Sequence, residues 1–419
     1  MANALKVQSI IAREALVIID NTLSGLIDSF HRDQEGEFNK NINGYKIGDT
    51  ITVRKPADFT VRTTSTRSAQ DIVEGSTTIQ VNKIAGVDFD LTTTEQTLTI
   101  ENREGVAGLR DRVIMPAAIN IVNAIVYDCM QEFYRSTYNY VGTPGTRITT
   151  YAGFSKGPER LDEMAVPQDR RFGALNPNDN WGLLGGQTAL YITDAAKGAY
   201  RDGSLGNIGG VETYSSGVLP THTVGPLGGA PLINGAAQNV TFVTAKDTWA
   251  QSLITDGWTA AAAARLNRGD VFTIANVFAV NPKTRATLNF LQQFVVNADV
   301  SSDGAGNLTA NISPPIIISG PHQTVNAAPA DNAAITVLGT AATNYRQNLI
   351  YHKNAFALVV VPMAIPAGSV DHVRESFKGL SVKVGPSYDG TNDVSGWRMD
   401  ALYGRRAIDM RLATRVAGT

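Results

Sequence analysis

The sequence predicts an α+β fold that contains an inserted β-barrel-like domain, and three observations support this prediction. Residues 109–138 place apolar side chains at helical spacing, whereas residues 45–100 alternate apolar and polar side chains as strands do. Residues 219–343 contain short apolar runs separated by Gly, Pro, Asn and Asp, a pattern typical of a small antiparallel barrel or sandwich. Because α/β sequence flanks this third segment on both sides, we interpret it as an insertion.

Composition narrows the class of protein. The 419 residues are enough for two or three domains of about 100–200 residues each. Lys and Arg number 36 against 38 Asp and Glu, which disfavours a dedicated nucleic-acid binder. The single cysteine, Cys129, excludes an intrachain disulfide and a Cys-rich metal framework.

Apolar runs in the sequence are short. None approaches the roughly 18 uninterrupted apolar residues of a membrane span. The most apolar N-terminal run, residues 10–19, contains Arg13 and Glu14, so it does not resemble the core of a signal peptide. We therefore expect a soluble protein that is made inside the cell and has no membrane partner.

The N-terminal hundred residues change character twice. Residues 1–30 have the three- and four-residue apolar spacing of an amphipathic helix, and a polar stretch follows. Alternation then predicts strands over 46–54 and 77–82. Between them, residues 59–75 hold four Thr, two Ser, two Arg and only three aliphatic side chains larger than alanine. This tip of a two-stranded excursion cannot bury much surface alone, so we expect something outside its own domain to stabilise it.

Residues 109–138 predict a long helix that is apolar around most of its circumference. Pro116 is tolerated if the helix begins near Val113, because first-turn positions need no intrahelical N–H bond. About 25 residues at about 1.5 Å each give a rod of about 38 Å, long enough to serve as a spine. Cys129 is expected to be a small apolar filler in this packed helix rather than a reactive group.

Further elements follow the spine. Asn176, Pro177 and Trp181 lead into a helix predicted over 188–200 and ended by the turn at 201–203. The pattern predicts strands inside the insertion and beyond it, and then a final hairpin. These strands are 271–277, 293–296, 315–318, 334–338 and 356–361, the last buried on both faces, with the hairpin formed by 380–384 and 397–402.

The sequence lacks recognisable catalytic motifs. It has no Gly-Lys-Ser/Thr phosphate loop, no His-Glu-x-x-His and no Gly-x-Ser-x-Gly elbow. The five histidines, at 31, 222, 322, 352 and 372, are expected to be surface or structural residues. We therefore predict no enzyme, no catalytic, cofactor-binding or metal-binding residue, and no cofactor.

Two short motifs have competing interpretations. Arg268-Gly269-Asp270 matches a cell-adhesion tripeptide, but we favour a tight turn that feeds the strand 271–277. Asp299, Asp303 and Asn307 could suggest a calcium loop. Their spacing fails the EF-hand pattern, so we favour an Asp-Gly hairpin turn.

Arginines concentrate near the C-terminus, at positions 398, 405, 406, 411 and 415. They could neutralise phosphate on an inward-facing surface. Alternatively, they could form ion pairs with the acidic N-terminal stretch of a neighbouring subunit. The sequence leaves both possibilities open.

The C-terminal half contains a specific resemblance. Tyr388-Asp389, Asn392-Asp393, the run 397–404 and the run 412–415 are similar to the ending of tailed-phage major capsid proteins of the P22 coat-protein family. Further runs resemble the β module of that family and the chain just before it. These runs are 268–275, 280–282, 291–294 and 200–203.

The resemblance implies the HK97-type capsid fold with an inserted domain of the P22 kind. It places an N-terminal arm at 1–43, an E-loop at 44–100, a peripheral domain at 101–138 and 371–419, an axial domain at 139–218 and 344–370, and the inserted domain at 219–343. Gly225–Ala237 and Ala260–Ala264 depart from the family pattern. We therefore transfer no contacts of the inserted domain's loops.

The resemblance also implies a function and partners. The chain would be a major capsid protein that self-assembles, as hexamers and pentamers, into an icosahedral shell around phage double-stranded DNA, which it contacts non-specifically. Scaffolding and portal proteins would be further partners, with a cement or decoration protein left open and the arm 1–30 as a candidate scaffold contact. The protein would be located in the virion and assembled in the host bacterial cytoplasm. The alternatives are an encapsulin-like nanocompartment shell and a carbohydrate-binding or enzymatic β protein.

Overall fold

A computed structural model describes most of the chain in two compact units. The described residues are 26–33, 41–42, 45–46, 50–67, 69–92, 115–187, 205–365, 372–377 and 380–418. The first unit comprises Met1–Ile51, Thr78–Cys129 and Phe356–Arg406, and the second comprises Thr52–Thr77, Met130–Ala355 and Ala407–Thr419.

Helices and strands are both present, which confirms the α+β class. The α-helices are α1 (Met115–Ser136), α2 (Tyr151–Glu163), α3 (Pro177–Gln187) and α4 (Phe242–Ala245), and 3₁₀ turns cover Lys353–Ala355 and Met410–Leu412. The strands of the first half are β1 (Asn41–Ile42), β2 (Tyr45–Lys46), β3 (Thr50–Lys55), β4 (Gly75–Thr92), β5 (Tyr140–Val141), β6 (Arg171–Leu175), β7 (Asn207–Ile208), β8 (Val211–Ser215) and β9 (Thr221–Thr223).

The remaining strands form the inserted segment and the C-terminal part. Those of the inserted segment are β10 (Gly229–Ile233), β11 (Gln251–Trp258), β12 (Ala264–Leu266), β13 (Val271–Val280), β14 (Thr287–Val296), β15 (Val300–Ser301), β16 (Leu308–Ser313) and β17 (Ile335–Val337). The last strands are β18 (Asn344–His352), β19 (Phe356–Val361), β20 (Val373–Phe377), β21 (Leu380–Asp389), β22 (Val394–Ala407) and β23 (Ala413–Ala417).

The first unit is built on a long antiparallel sheet in which β20, β21, β22 and β4 are successive neighbours. β21 and β22 form the predicted C-terminal hairpin, with Asp389 opposite Val394 at its turn. β22 then pairs with β4 from Val394–Thr92 to Gly404–Val81. β4 is much longer than predicted, because the alternation that begins at Ile79 continues through Phe89 and Leu91.

The end of the predicted N-terminal helix lies in the described part of the first unit. Residues 26–29 form a turn, and Ile27 and Phe30 are buried. The amide of His31 donates to the carbonyl oxygen of Phe356 at 2.9 Å. The rest of the helix predicted over 1–30 lies outside the described residues.

Helix α1 agrees with the predicted spine. Pro116 is its second residue, where no intrahelical N–H bond is lost. Cys129 is fully buried, which fits the packing role that the sequence predicts. Residues 109–114 of the predicted element lie outside the described residues.

The main sheet of the second unit has the strand order β5-β23-β18-β6-β8-β7, with β9 also paired to β18. Helix α2 contacts this sheet, since a Cβ built on Gly157 would lie only 2.6 Å from the side chain of Ile350. The fully buried side chains of Phe154, Leu161 and Leu183 form the core between the helices and the sheet.

The inserted segment is a small β barrel. Its strand order is β10-β11-β16-β14-β13-β17, and the two outer strands meet through a bridge between Leu232 and Ala334. The amide of Ile233 donates to the carbonyl oxygen of Ala333 at 3.0 Å, which completes the closure. Phe272 and Phe294 pack in the interior with ring centroids 5.7 Å apart. The barrel-like architecture that the sequence predicts is therefore confirmed.

One prediction about local structure was wrong, and one observed helix was not predicted. Residues 315–318 are not a strand, because Pro315 has no N–H and the amides of Ile316 and Ile317 bond to side-chain oxygens of Gln251 and Thr324 rather than to a neighbouring strand. Helix α3 covers Pro177–Gln187, which the sequence pattern indicated only as the lead-in to the helix predicted over 188–200. Residues 188–200 lie outside the described residues.

Candidate functional site

The segment 56–74, called the loop below, connects β3 to β4, which are neighbours in one sheet. Its described residues form neither helix nor strand. The side chain of Gln70 links the first limb of the loop (56–60) to its second limb (70–74). The amide of Thr60 donates to Gln70 Oε1 at 2.9 Å, and Gln70 Nε2 donates to the carbonyl oxygen of Thr60 at 2.7 Å. Arg62 Nη1 donates to the carbonyl oxygens of Thr64 and Thr66 and so shapes the tip.

The largest apolar side chains of the loop face solvent. Phe59 is 49%, Val61 92% and Ile72 73% exposed. Burying such a side chain fully is worth about 1.5–3 kcal/mol, and the loop alone gains little of this. This confirms the expectation that the segment cannot bury much surface by itself.

We call the junction of α1, β23 and the turn before β13 the root of the inserted barrel. In contrast to the loop, the root contains a buried, hydrogen-bonded charged side chain. Arg415 on β23 is only 1% exposed. Its Nε donates to the carbonyl oxygen of Thr137 at 2.8 Å, and its Nη1 donates to that of Gly269 at 2.9 Å. Its guanidinium carbon lies 5.4 Å from the ring centroid of Tyr134. One side chain thus joins the end of α1, the turn before β13 and the C-terminal strand.

Burial lowers the pKa of Arg415 to about 10. The guanidinium therefore stays charged at neutral pH, where its ring and carbonyl contacts partly offset the cost of desolvation.

A second buried pair lies at the same root. His222 Nε2 is 2.7 Å from Asp270 Oδ1, and both side chains are buried. Asp270 Oδ2 accepts the amides of Gly225 at 3.0 Å and Asn267 at 2.8 Å. Burial lowers the pKa of His222, although the hydrogen bond to Asp270 opposes this. A neutral imidazole that donates Nε2–H to the carboxylate fits this environment.

The two motifs with competing interpretations have structural roles. Arg268-Gly269-Asp270 forms the predicted tight turn before β13, with Gly269 at φ +101° and the Asp270 carboxylate directed inward. Asp303 Oδ1 accepts the amides of Ala305 and Asn307 and so organises the predicted turn before β16. Asp299 instead accepts the amide of Arg268 at 2.6 Å, so the three calcium candidates do not converge.

Most of the C-terminal arginines are paired within their own chain. Arg405 forms a bidentate pair with Asp128 at 2.6 Å, Arg411 pairs with Asp409 at 2.8 Å, and Arg398 pairs with Asp400 at 2.6 Å. Together with Arg415, four of the five arginines bind groups of their own chain, whereas Arg406 is exposed. The carboxylate partner of Arg405 lies 277 residues away in the sequence, which explains why the pattern of arginines alone did not reveal it.

Three of the five histidines have defined surroundings in the structure. His222 and His352 are buried, and His322 stacks on Phe242 with ring centroids 3.6 Å apart. Among the described residues, no group of three or more His, Cys, Asp or Glu could hold a metal ion. No helix in the described ranges is long and apolar enough to cross a membrane.

A cavity of about 320 Å³ lies in the second unit beside the first limb of the loop. Asp58, Met164, Pro282, His322 and Leu412 line it. Arg411 and Asp409, which also reach it, are already paired to each other. The described part of this unit thus combines a packed root with an exposed loop.

Comparison with known proteins gives consistent matches. The family model for "P22 coat protein - gene protein 5" matches residues 17–412. A curated major capsid protein of Acyrthosiphon pisum secondary endosymbiont phage 1 is 22% identical over 382 residues, which are 88% of this chain and 87% of that one.

Solved structures show a more distant similarity. A chain of Mycobacterium phage Che8 is 10% identical with a TM-score of 0.48, covering 93% of this chain and 89% of its own. The CUS-3 coat protein I-domain is 29% identical over 28% of this chain and 100% of its own, with a TM-score of 0.20. Because these TM-scores are below 0.5, the assignment to a family rests on the family model.

Proposed function

The chain belongs to the P22 coat protein family, and on that premise we propose how it forms its shell. It is a phage major capsid protein with an α+β fold of the HK97 type, and its role is to form the capsid shell. The finer proposal is that a neighbouring copy covers the loop 56–74. The observation that supports it is the exposure of Phe59, Val61 and Ile72 on a segment with no core of its own.

The energetics favour a neighbour as the cover. Three such side chains contribute about 5–9 kcal/mol when they are fully buried, before the entropy cost of association is subtracted. A shell repeats this contact at every subunit, so a modest gain at each one is enough to favour closure. Charge does not oppose close packing, because the formal net charge is only -2.

The proposed domain boundaries are those that the resemblance implies, with an arm at 1–43, an E-loop at 44–100, a peripheral domain at 101–138 and 371–419, an axial domain at 139–218 and 344–370, and the inserted domain at 219–343. The pairing of β9 with the start of β18 supports the last of these. Thr223 lies opposite Asn344 and Thr221 opposite Arg346, so the chain enters and leaves the barrel at adjacent strands.

The proposed partners are further copies of the chain, as hexamers and pentamers of an icosahedral shell that encloses double-stranded DNA. Scaffolding and portal proteins would join during assembly in the host cytoplasm, and the arm 1–30 is our candidate for the scaffold contact. The proposed role requires no enzymatic activity. A truncated chain lacking residues 2–30 that still gave shells of normal size would contradict the role of the arm.

Electron microscopy of particles from chains altered in the loop tests the proposed function. Phe59→Ser, Val61→Ser and Ile72→Ser combined should abolish or strongly reduce shell formation, because the apolar contact is removed. Thr63→Ser and Thr66→Ser in the same exposed loop provide the matched control and should leave assembly unchanged. Normal shells from the triple variant would contradict the proposal, and shells that enclose a cargo enzyme instead of DNA would favour a nanocompartment.

A further inference from the structure

The start of β4, which directly continues the second limb of the loop, is held against the inserted segment of the same chain. The amide and hydroxyl of Ser76 both donate to Asp247 Oδ1, at 3.0 and 2.7 Å. These bonds lower the pKa of Asp247 and so keep it ionised. A Cβ built on Gly75 would lie 2.6 Å from the carbonyl oxygen of Lys246, so the strand approaches this turn as closely as only glycine permits.

The first limb is held by a different turn of the same barrel. Asp58 lies 3.6 Å from Arg285 and 3.8 Å from Lys283. The side chains of Asp58 and Arg285 are only 22% and 16% exposed, so solvent screens this pair less than an ordinary surface pair. Just before Asp58, Lys55 Nζ lies 5.9 Å from the ring centroid of Trp249.

Both turns of the barrel are also held by hydrogen bonds that do not involve the loop. Asn281 Oδ1 accepts the amides of Lys283 and Thr284, and its Nδ2 donates to the carbonyl oxygen of Glu163 at 2.9 Å. Arg285 Nη1 donates to the carbonyl oxygen of Lys283 at 2.8 Å. On the other turn, Trp249 is buried and its amide donates to the carbonyl oxygen of Ala245 at 2.7 Å.

We propose that the inserted barrel clasps both limbs of the loop within one chain and so sets the direction in which the loop projects before a neighbour is met. The clasp consists of Lys55, Asp58, Gly75 and Ser76 with their barrel partners. Its consequence in the shell rests on the proposed function, whereas the clasp itself is a property of the single chain. A loop that is already oriented loses less freedom on association, so the clasp speeds assembly.

Hydrogen exchange on the unassembled full chain tests the clasp. Gly75→Ala forces the strand away from Lys246, and Asp247→Ala removes the acceptor of Ser76. We expect amides in 53–58 and 74–78 to exchange at least about 10-fold faster in both variants, while those in the barrel core strands β13 and β14 keep their rates. The core strands report whether the barrel is still folded.

The matched controls change the same residue types where no clasp contact exists. Gly304→Ala adds a methyl group where nothing lies within 4 Å, and Asp71→Ala removes an exposed carboxylate of the loop itself. Neither should alter exchange in 53–58 or 74–78. Unchanged exchange in the clasp variants, or equal acceleration in the controls, would overturn the proposal.

An assembly measurement then separates the clasp from the proposed function. Light scattering should show slower assembly of Gly75→Ala and Asp247→Ala than of Gly304→Ala. If the clasp variants exchange faster but assemble at the rate of the unaltered chain, the proposed effect on loop direction is wrong. If the unaltered chain forms no shell under any condition while the exchange results hold, the clasp stands and the proposed function fails.

Discussion

The root of the inserted barrel and the loop 56–74 lie in the same unit but satisfy their side chains in opposite ways. At the root, Arg415, His222 and Asp270 are buried and bonded to groups of their own chain. In the loop, Val61 and Ile72 remain largely in water. Polar groups that would be costly to bury unpaired are thus bonded within the folded chain, whereas apolar groups that are cheaper to expose stay in water, and the proposed function has a neighbouring copy cover them. Under the proposed function, folding and assembly are therefore assigned to different residues.

The substitution expected to reduce the free energy of unfolding most is Arg415→Met, at the root. It leaves the carbonyl oxygens of Thr137 and Gly269 buried without their donors, so we expect the free energy of unfolding to fall by about 3 kcal/mol. Urea denaturation of the unassembled chain measures this. Arg406→Met, which replaces an exposed arginine on β22, is the control and should stay within about 0.5 kcal/mol. Equal effects of the two variants would contradict the account of the root.

A smaller loss of unfolding free energy is expected from Asp270→Asn, also at the root. An amide keeps one acceptor oxygen where the carboxylate serves His222, Gly225 and Asn267, so the free energy of unfolding should fall by about 2 kcal/mol. A double-mutant cycle with His222→Gln should give a coupling free energy of about 1 kcal/mol or more. Strict additivity of the two substitutions would show that the pair does not act as a unit.

The free energy of unfolding should also depend on pH through His322, which lines the cavity. Burial lowers the pKa of His322 to about 4, with Arg411 adding to the effect. Below the unfolded value of about 6.5 the unfolded chain takes up a proton that the folded chain refuses, so stability falls as the pH drops from about 6.5 toward 4. After allowance for solvent screening we expect about 1–2 kcal/mol from this group.

His322→Gln isolates this contribution. Its unfolding free energy should fall less between pH 7 and pH 5 than that of the unaltered chain, and the two curves should run parallel above pH 7. Identical slopes below pH 6.5 would show that His322 does not contribute to the pH dependence.

The smallest expected effect on the lone subunit is that of the loop. Val61→Ser and Ile72→Ser should each change the free energy of unfolding by no more than about 0.5 kcal/mol, because these side chains are mostly exposed in the lone chain. Urea denaturation of the subunit is again the measurement. A loss comparable to that of Arg415→Met would mean that the loop is packed within its own chain.

Periodicity predicted the regular elements well, because side-chain burial repeats with the period of the element. It gave the spine, the strands β13 and β19 and the C-terminal hairpin, and the shortage of aliphatic residues in 59–75 correctly predicted an exposed tip. It failed at 315–318, where the apolar residues are buried but their amides bond to side chains. A hydrophobic run alone does not distinguish these two environments.

The root and the clasp could not be predicted from the sequence, because their partners are distant along the chain. Arg415 and Gly269 are 146 residues apart, and Ser76 and Asp247 are 171 apart. Nothing local marks Asp247 as the partner of a loop strand, and the Arg268-Gly269-Asp270 motif draws attention to a recognition role that the buried carboxylate does not have.

Trypsin cleavage after Arg62 and Arg67 tests most directly whether neighbours complete the loop. Both arginines are exposed in the single chain. We predict rapid cleavage in the unassembled subunit and cleavage at least about 10-fold slower in assembled shells. Cleavage that is as slow in the lone subunit as in assembled shells would contradict the account.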